Sequence, residues 1–101
     1  MHVAVRRYSA DPVIFQDLKE RLEADFVPYI RQLEGFISYY AVKTGEGSLD
    51  TISVFETRES EIESTRLAAD FVKRNYDNLR VERIGVDEGP CLVERHAKIP
   101  A

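Results

Sequence analysis

Gly35-Phe36-Ile37-Ser38-Tyr39-Tyr40-Ala41-Val42 and Thr51-Ile52-Ser53-Val54-Phe55-Glu56 decide the fold, with the turn signal Gly45-Glu46-Gly47-Ser48 between them. Both runs are rich in aromatic and β-branched residues, which suit a pleated, half-buried surface. Two such runs joined through glycine predict a β-hairpin at about 36–43 and 49–56.

An amphipathic helix pattern flanks the hairpin on each side. Upstream, His2 to Tyr8 sets Val3 and Val5 against His2, Ala4, Arg6 and Tyr8, a first strand with two unlike faces. Asp11-Pro12 then supplies an N-cap oxygen and a preset first-turn φ. Leu18, Leu22, Phe26, Ile30 and Leu33 recur at helical spacing. Pro28 interrupts them and predicts a kink or break near Val27. Gly35 is expected to end the segment at positive φ.

Downstream, a second helix is expected from about Glu59 to Leu79. Ser60 and Glu63 show capping-box spacing at its start, and Ile62, Ala69, Val72, Tyr76 and Leu79 form its apolar stripe. Two further strands are expected, Val81–Val86 and Cys91–His96, around an Asp87-Glu88-Gly89-Pro90 turn. The reading is α+β: a ferredoxin-like split βαβ pair, βαββαβ plus a C-terminal strand, with an antiparallel sheet covered by helices on one face. No linker or composition shift divides residues 1–101, so one domain is expected.

The net charge of −4, from 14 basic and 18 acidic residues, provides no basic footprint for a phosphate backbone, so no nucleic-acid partner is expected. No apolar run nears the roughly 20 residues that span a bilayer, and Met1-His2-Val3-Ala4-Val5-Arg6-Arg7 reads as strand rather than as a signal segment. With one cysteine, Cys91, and no spacing of metal ligands, a cytoplasmic protein without a metal site is expected.

Helices on one side leave the other sheet face bare. Strict alternation puts Phe36, Tyr40 and Val42 on one face and Ile37, Tyr39 and Ala41 on the other, with neither set polar. A second copy packed about a two-fold axis would cover the bare face, so a homodimer is expected. If Val3, Val5, Ile52 and Val54 pack under the helices, then Arg6, Tyr8, Ser53 and Phe55 face the partner. Arg6 among aromatics can bind a carboxylate or enolate oxygen or stack on a flat ring; the alternative is an intersubunit salt bridge. Candidate ligand-binding residues are therefore Arg6, Tyr8, Tyr40, Ser53, Phe55 and Arg83. Cys91 and His96 are five residues apart and would point to opposite faces of one strand, which argues against a nucleophile–base pair.

The run Gly35-Phe36-Ile37-Ser38-Tyr39-Tyr40, then Ser53-Val54-Phe55-Glu56, Ser64, Ala68-Ala69 and the glycine of the last strand resemble the dimeric α/β-barrel superfamily. Within it, the chain is similar to the antibiotic-biosynthesis-monooxygenase-like domains from His2 to about His96. The resemblance implies two ferredoxin-like protomers packed sheet to sheet, each with a small cavity between sheet and helices. It also implies a small aromatic ligand and no cofactor. Members include cofactor-free monooxygenases, heme-degrading enzymes and proteins with no assigned activity. The chain departs from both enzyme groups: it has no tryptophan, and its second helix has no histidine. Their active sites therefore do not carry over residue by residue. Three readings follow: a cofactor-free enzyme in which Tyr39, Tyr40 or Tyr76 donates hydrogen bonds, a non-catalytic ligand-binding dimer, and a structural module.

Overall fold

The computed structural model describes residues 1–76 and 80–98. Strand β1 (His2–Ala10) leads through a 3₁₀ turn (Pro12–Ile14) into α1 (Phe15–Arg21). A π-helical turn (Leu22–Phe26) and α2 (Val27–Ile30) complete the first helical segment. The hairpin β2 (Phe36–Gly45) and β3 (Ser48–Phe55) follows, then α3 (Arg58–Asn75) and β4 (Val81–Pro90). The sheet order is β2-β3-β1-β4, with antiparallel neighbours throughout. This is the expected ferredoxin-like plan.

The first helical segment starts as expected, with the Asp11 carboxylate accepting from the Val13 amide at 3.0 Å. Leu18, Leu22, Phe26 and Ile30 are all buried although each is four residues from the next. At about 3.6 residues per turn, such a stripe drifts by roughly 40° per step. The wider π turn over Leu22–Phe26 takes up that drift and brings the stripe back over the sheet. It also lies just before Pro28, which has no N–H to give to a preceding carbonyl. The irregularity predicted near Val27 is thus a π turn, not a break. Gly35 has φ 74°, as expected, and its carbonyl accepts from the Glu56 amide at 2.8 Å.

Three expectations are corrected. Thr57, not Ser60, caps α3, accepting from the Ser60 amide at 3.2 Å. The buried face of α3 is Glu61, Ser64, Ala68 and Phe71, whereas Ile62 is exposed; Tyr76 is buried, and Leu79 lies outside the described residues. The C-terminal strand is absent, because residues 91–98 carry no strand. Instead β4 runs straight through the expected turn, pairing Asp87, Glu88, Gly89 and Pro90 with Val5, Ala4, Val3 and His2. The start of β1 needs a backbone partner on that edge, and these residues provide it.

The faces of the sheet are also the reverse of the expectation. Ala4, Arg6, Tyr8 and Ala10 of β1 and Leu49, Thr51, Ser53 and Phe55 of β3 are buried under the helices. Val3, Val5, Ile52 and Val54 lie on the open face, where Val3 opposes Val54 and Val5 opposes Ile52. In β2 a register shift between Phe36 and Ser38 breaks strict alternation. Phe36 opposes Phe55, and Tyr39 and Ala41 oppose Ser53 and Thr51, so all three lie on the helix side; Tyr40 and Val42 are on the open side.

Candidate active or binding cleft

The helix-side face carries a polar cluster inside an apolar layer. Arg6 is fully buried, and among the described residues its guanidinium donates to hydroxyls: Nε to Thr51 at 3.2 Å, Nη1 to Thr65 at 2.9 Å and to Ser64 at 3.4 Å, and Nη2 to Ser53. The opposition of Arg6 to Thr51 and of Ala4 to Ser53 brings two of these hydroxyls from β3; Ser64 and Thr65 come from α3. Burial draws the guanidinium below its ordinary pKa, opposed by the nearby Tyr8 and Tyr39. Glu61, one turn before Ser64 and Thr65, is also buried, and its Oε2 meets no donor. Burial first, then the adjoining Glu88 carboxyl, raises the Glu61 pKa to about 7.

Beside this cluster lie two adjoining spaces. An inner recess of about 20 Å³, room for roughly one water, is lined by Tyr8, Phe26, Thr51, Ala68 and Phe71 among others. An outer cleft of about 530 Å³ opens between the first helical segment and the β2–β3 hairpin. Phe15, Leu18, Leu22, Val27, Ala41 and Leu49 form its apolar lining, and Lys19, Lys43 and Glu23 supply charge. Leu18, Leu22, Tyr39 and Leu49 line both spaces, so they form the partition between them. At one side of the cleft, Lys43 Nζ lies 5.1 Å from the Phe15 ring centroid, a cation–π contact. Burial pushes the Tyr39 phenol above its ordinary pKa, with Arg6 opposing. Near neutral pH Tyr39 is therefore a hydrogen-bond donor and not a base.

The six sequence candidates separate. Tyr8 lines the recess, and Ser53 and Arg6 belong to the buried cluster. Phe55 is fully buried against Phe36, with ring centroids 5.7 Å apart. Tyr40 is 55 % exposed on the open sheet face. Arg83 is exposed and reaches the Thr65 carbonyl at 3.4 Å. Of the three tyrosines proposed as donors, only Tyr39 lines the cleft; Tyr76 instead donates to Asp17 at 2.9 Å. Sequence reasoning missed Lys43, Phe15 and Thr51. The signal for Thr51 was its position directly opposite Arg6 in a β1–β3 pairing; nothing in the sequence pairs Lys43 with Phe15. Cys91 and His96 are not brought together: Cys91 Sγ meets the Val93 carbonyl and His96 lies by Glu94. Among the described residues no group of three or more potential ligands could hold a metal ion, and no helix is long and apolar enough to cross a membrane.

Comparison of this architecture with solved structures gives close agreement at low sequence identity. MhuD, a heme-degrader from Mycobacterium tuberculosis solved with two hemes in its active site, superposes with a TM-score of 0.69 at 12% identity, over 95% of this chain and 100% of that one. SnoaB, a cofactor-independent oxygenase from Streptomyces nogalater, gives a TM-score of 0.64 at 11% identity over 92% and 94%. The chain shares the fold of these proteins. A protein of unknown function from Nitrosomonas europaea shares it, with a TM-score of 0.68 at 19% identity over 99% and 94%. No protein-family model matches the sequence, and no curated protein sequence matches it. In this chain the cleft and recess are lined by residues of both sheet and helices, where the sequence resemblance implied a cavity.

Proposed function

We propose that this protein binds a small, flat aromatic acid in the outer cleft. The observation that carries this reading is the cleft itself. Its volume of about 530 Å³ falls within the range of roughly 300–1,000 Å³ usual for small-molecule sites. Apolar walls from the first helical segment and the hairpin suit a ring, Tyr39 is a neutral donor, and two lysines against one glutamate favour an anion. Arg6 is assigned to support rather than contact: its bond to Thr51 holds one wall of the recess that adjoins the cleft. The neighbour SnoaB is a cofactor-independent oxygenase, and the same ligand class would suit such chemistry here, with Tyr39 donating to a phenolate or enolate oxygen.

We further propose that two copies pack through the open sheet face. Val3, Val5, Ile52 and Val54 form an apolar centre there, Tyr40 and Val42 extend it, and the Arg7–Asp87 ion pair at 2.7 Å sits on the same face. An apolar centre with a polar margin is the usual anatomy of a protein interface.

Calorimetric titration with a panel of aromatic acids and their neutral amides tests the ligand reading. Binding of acids should exceed that of amides and weaken in Lys43→Ala; no binding by any member would refute it. Substrate-dependent oxygen uptake then separates an enzyme from a binding protein. Light scattering at micromolar concentration should give twice the chain mass, falling to the monomer mass in Ile52→Arg.

A further inference from the structure

Among the described residues two charged side chains are sealed inside the fold, Arg6 and Glu61, and neither meets the partner that its charge requires. The Arg6 guanidinium donates to hydroxyls, and Glu61 Oε2 finds no donor. An ionised Glu61 would therefore stand bare while a cation within reach of its field went unpaired. Buried charges are stable only when paired, so this arrangement is that of a neutral carboxyl. The charged and titratable groups facing Glu61 are Glu88 from β4, Arg6 from β1 and Arg58 from its own helix. β3 contributes the uncharged Ser53, which forms one row across the sheet with Ala4 and Glu88. Two carboxylates offer no hydrogen to each other, whereas one proton on the pair supplies the donor that Oε2 lacks.

We propose that Glu61 and Glu88 share one proton, and that losing it switches the buried cluster: ionised Glu61 draws the Arg6 guanidinium off its hydroxyls and into an ion pair. The proton leaves to water through Glu88, which is exposed, and no other covalent bond is made or broken. Below neutral pH the proton stays and Arg6 holds Thr51, Ser53, Ser64 and Thr65; above it the ion pair takes over. Thr51 then loses the bond from Arg6 Nε. Tyr39, which is bonded to Thr51 and lines the cleft, is the route by which the cleft responds. That last step alone rests on the ligand reading given above.

Carbon NMR of the glutamate carboxyls, with the threonine methyls followed in the same samples across neutral pH, tests the switch on the protein without ligand. The Glu61 carboxyl should titrate at about 7, and the Thr51 and Thr65 methyl signals should move along the same curve. Glu88→Gln, at an exposed position, removes the shared acceptor and should lower the Glu61 midpoint. Glu61→Gln should hold both methyl signals at their low-pH positions throughout; if that variant does not fold, Glu88→Gln carries the test alone. Titration of Glu61 in the ordinary carboxylate range, methyl signals that do not follow it, or a midpoint unchanged in Glu88→Gln would each overturn the proposal. Binding of aromatic acids is a separate measurement, so the cleft reading can fail while the switch stands, and the reverse.

Discussion

Replacing Gly35 by alanine should destabilise the protein by about 2–3 kcal/mol, through two contributions that can be separated. The first is backbone strain, because Gly35 sits at φ 74°, where an L-residue's β-carbon costs about 1–2 kcal/mol. The second is contact: a β-carbon there would lie 2.9 Å from Glu56 Cβ and 3.3 Å from the Glu56 amide nitrogen. Glu56 cannot readily retreat, since its N–H donates to the Gly35 carbonyl at 2.8 Å and begins the exit from β3. Relieving such overpacking by backbone movement costs about 1 kcal/mol or more. For a domain of this size each kcal/mol moves the melting temperature by roughly 4–8 °C, so Gly35→Ala should melt on the order of 10–20 °C below wild type. A double-mutant cycle with Glu56→Gly, which removes the obstructing carbon, should recover the contact contribution and leave the strain. An unchanged melting temperature for Gly35→Ala would refute both contributions, and additive effects in the cycle would refute the contact.

Arg6→Ala should cost about 3 kcal/mol or more in chemical denaturation, because it opens a cavity and leaves Thr51, Ser53, Ser64 and Thr65 without their shared donor; full stability together with lost ligand affinity would instead make Arg6 a ligand anchor. Glu61 has a folded-state pKa of about 7 against an ordinary 4.5, so the fold binds more protons than the unfolded chain in between, and its contribution is complete below about 4.5 and lost as pH rises to about 7. Glu61→Gln should flatten this part of the pH slope in urea unfolding; an equal slope in the variant would refute the assignment. Tyr39→Phe should weaken binding of aromatic acids several-fold and, by removing the hydrogen bond with Thr51, lower the melting temperature by a few degrees; equal affinity would exclude the Tyr39 hydroxyl from the site.

The element order as far as the second long helix, the hairpin, the Asp11 cap and the positive-φ Gly35 were legible in the sequence, because each depends on residues within a few positions of one another. The site was less legible, and β1 shows why. Its two alternating sets are Val3 with Val5 and Ala4 with Arg6 and Tyr8. On hydrophobicity alone the valines belong inside and the arginine outside. The opposite holds, because Arg6 does not enter the core by itself: Thr51 and Ser53 arrive from β3 and Ser64 and Thr65 from α3 to accept its N–H hydrogen bonds. A buried cation is tolerable only with such partners, and they are 45 to 59 positions away in the chain.

The same distinction accounts for the other departures. A β2 reading by strict alternation cannot foresee the register shift between Phe36 and Ser38, since that shift is a property of the β2–β3 pair. Nor could the Asp87-Glu88-Gly89-Pro90 run show that it would be strand: its composition favours a turn, and only the unpaired edge of β1 draws it into the sheet. Local chemistry along the chain thus determined the elements up to α3 and their order. Which face of each strand is buried and where Tyr39 meets the cleft were decided only by tertiary structure, because burial is a property of partners and those partners lie on other elements.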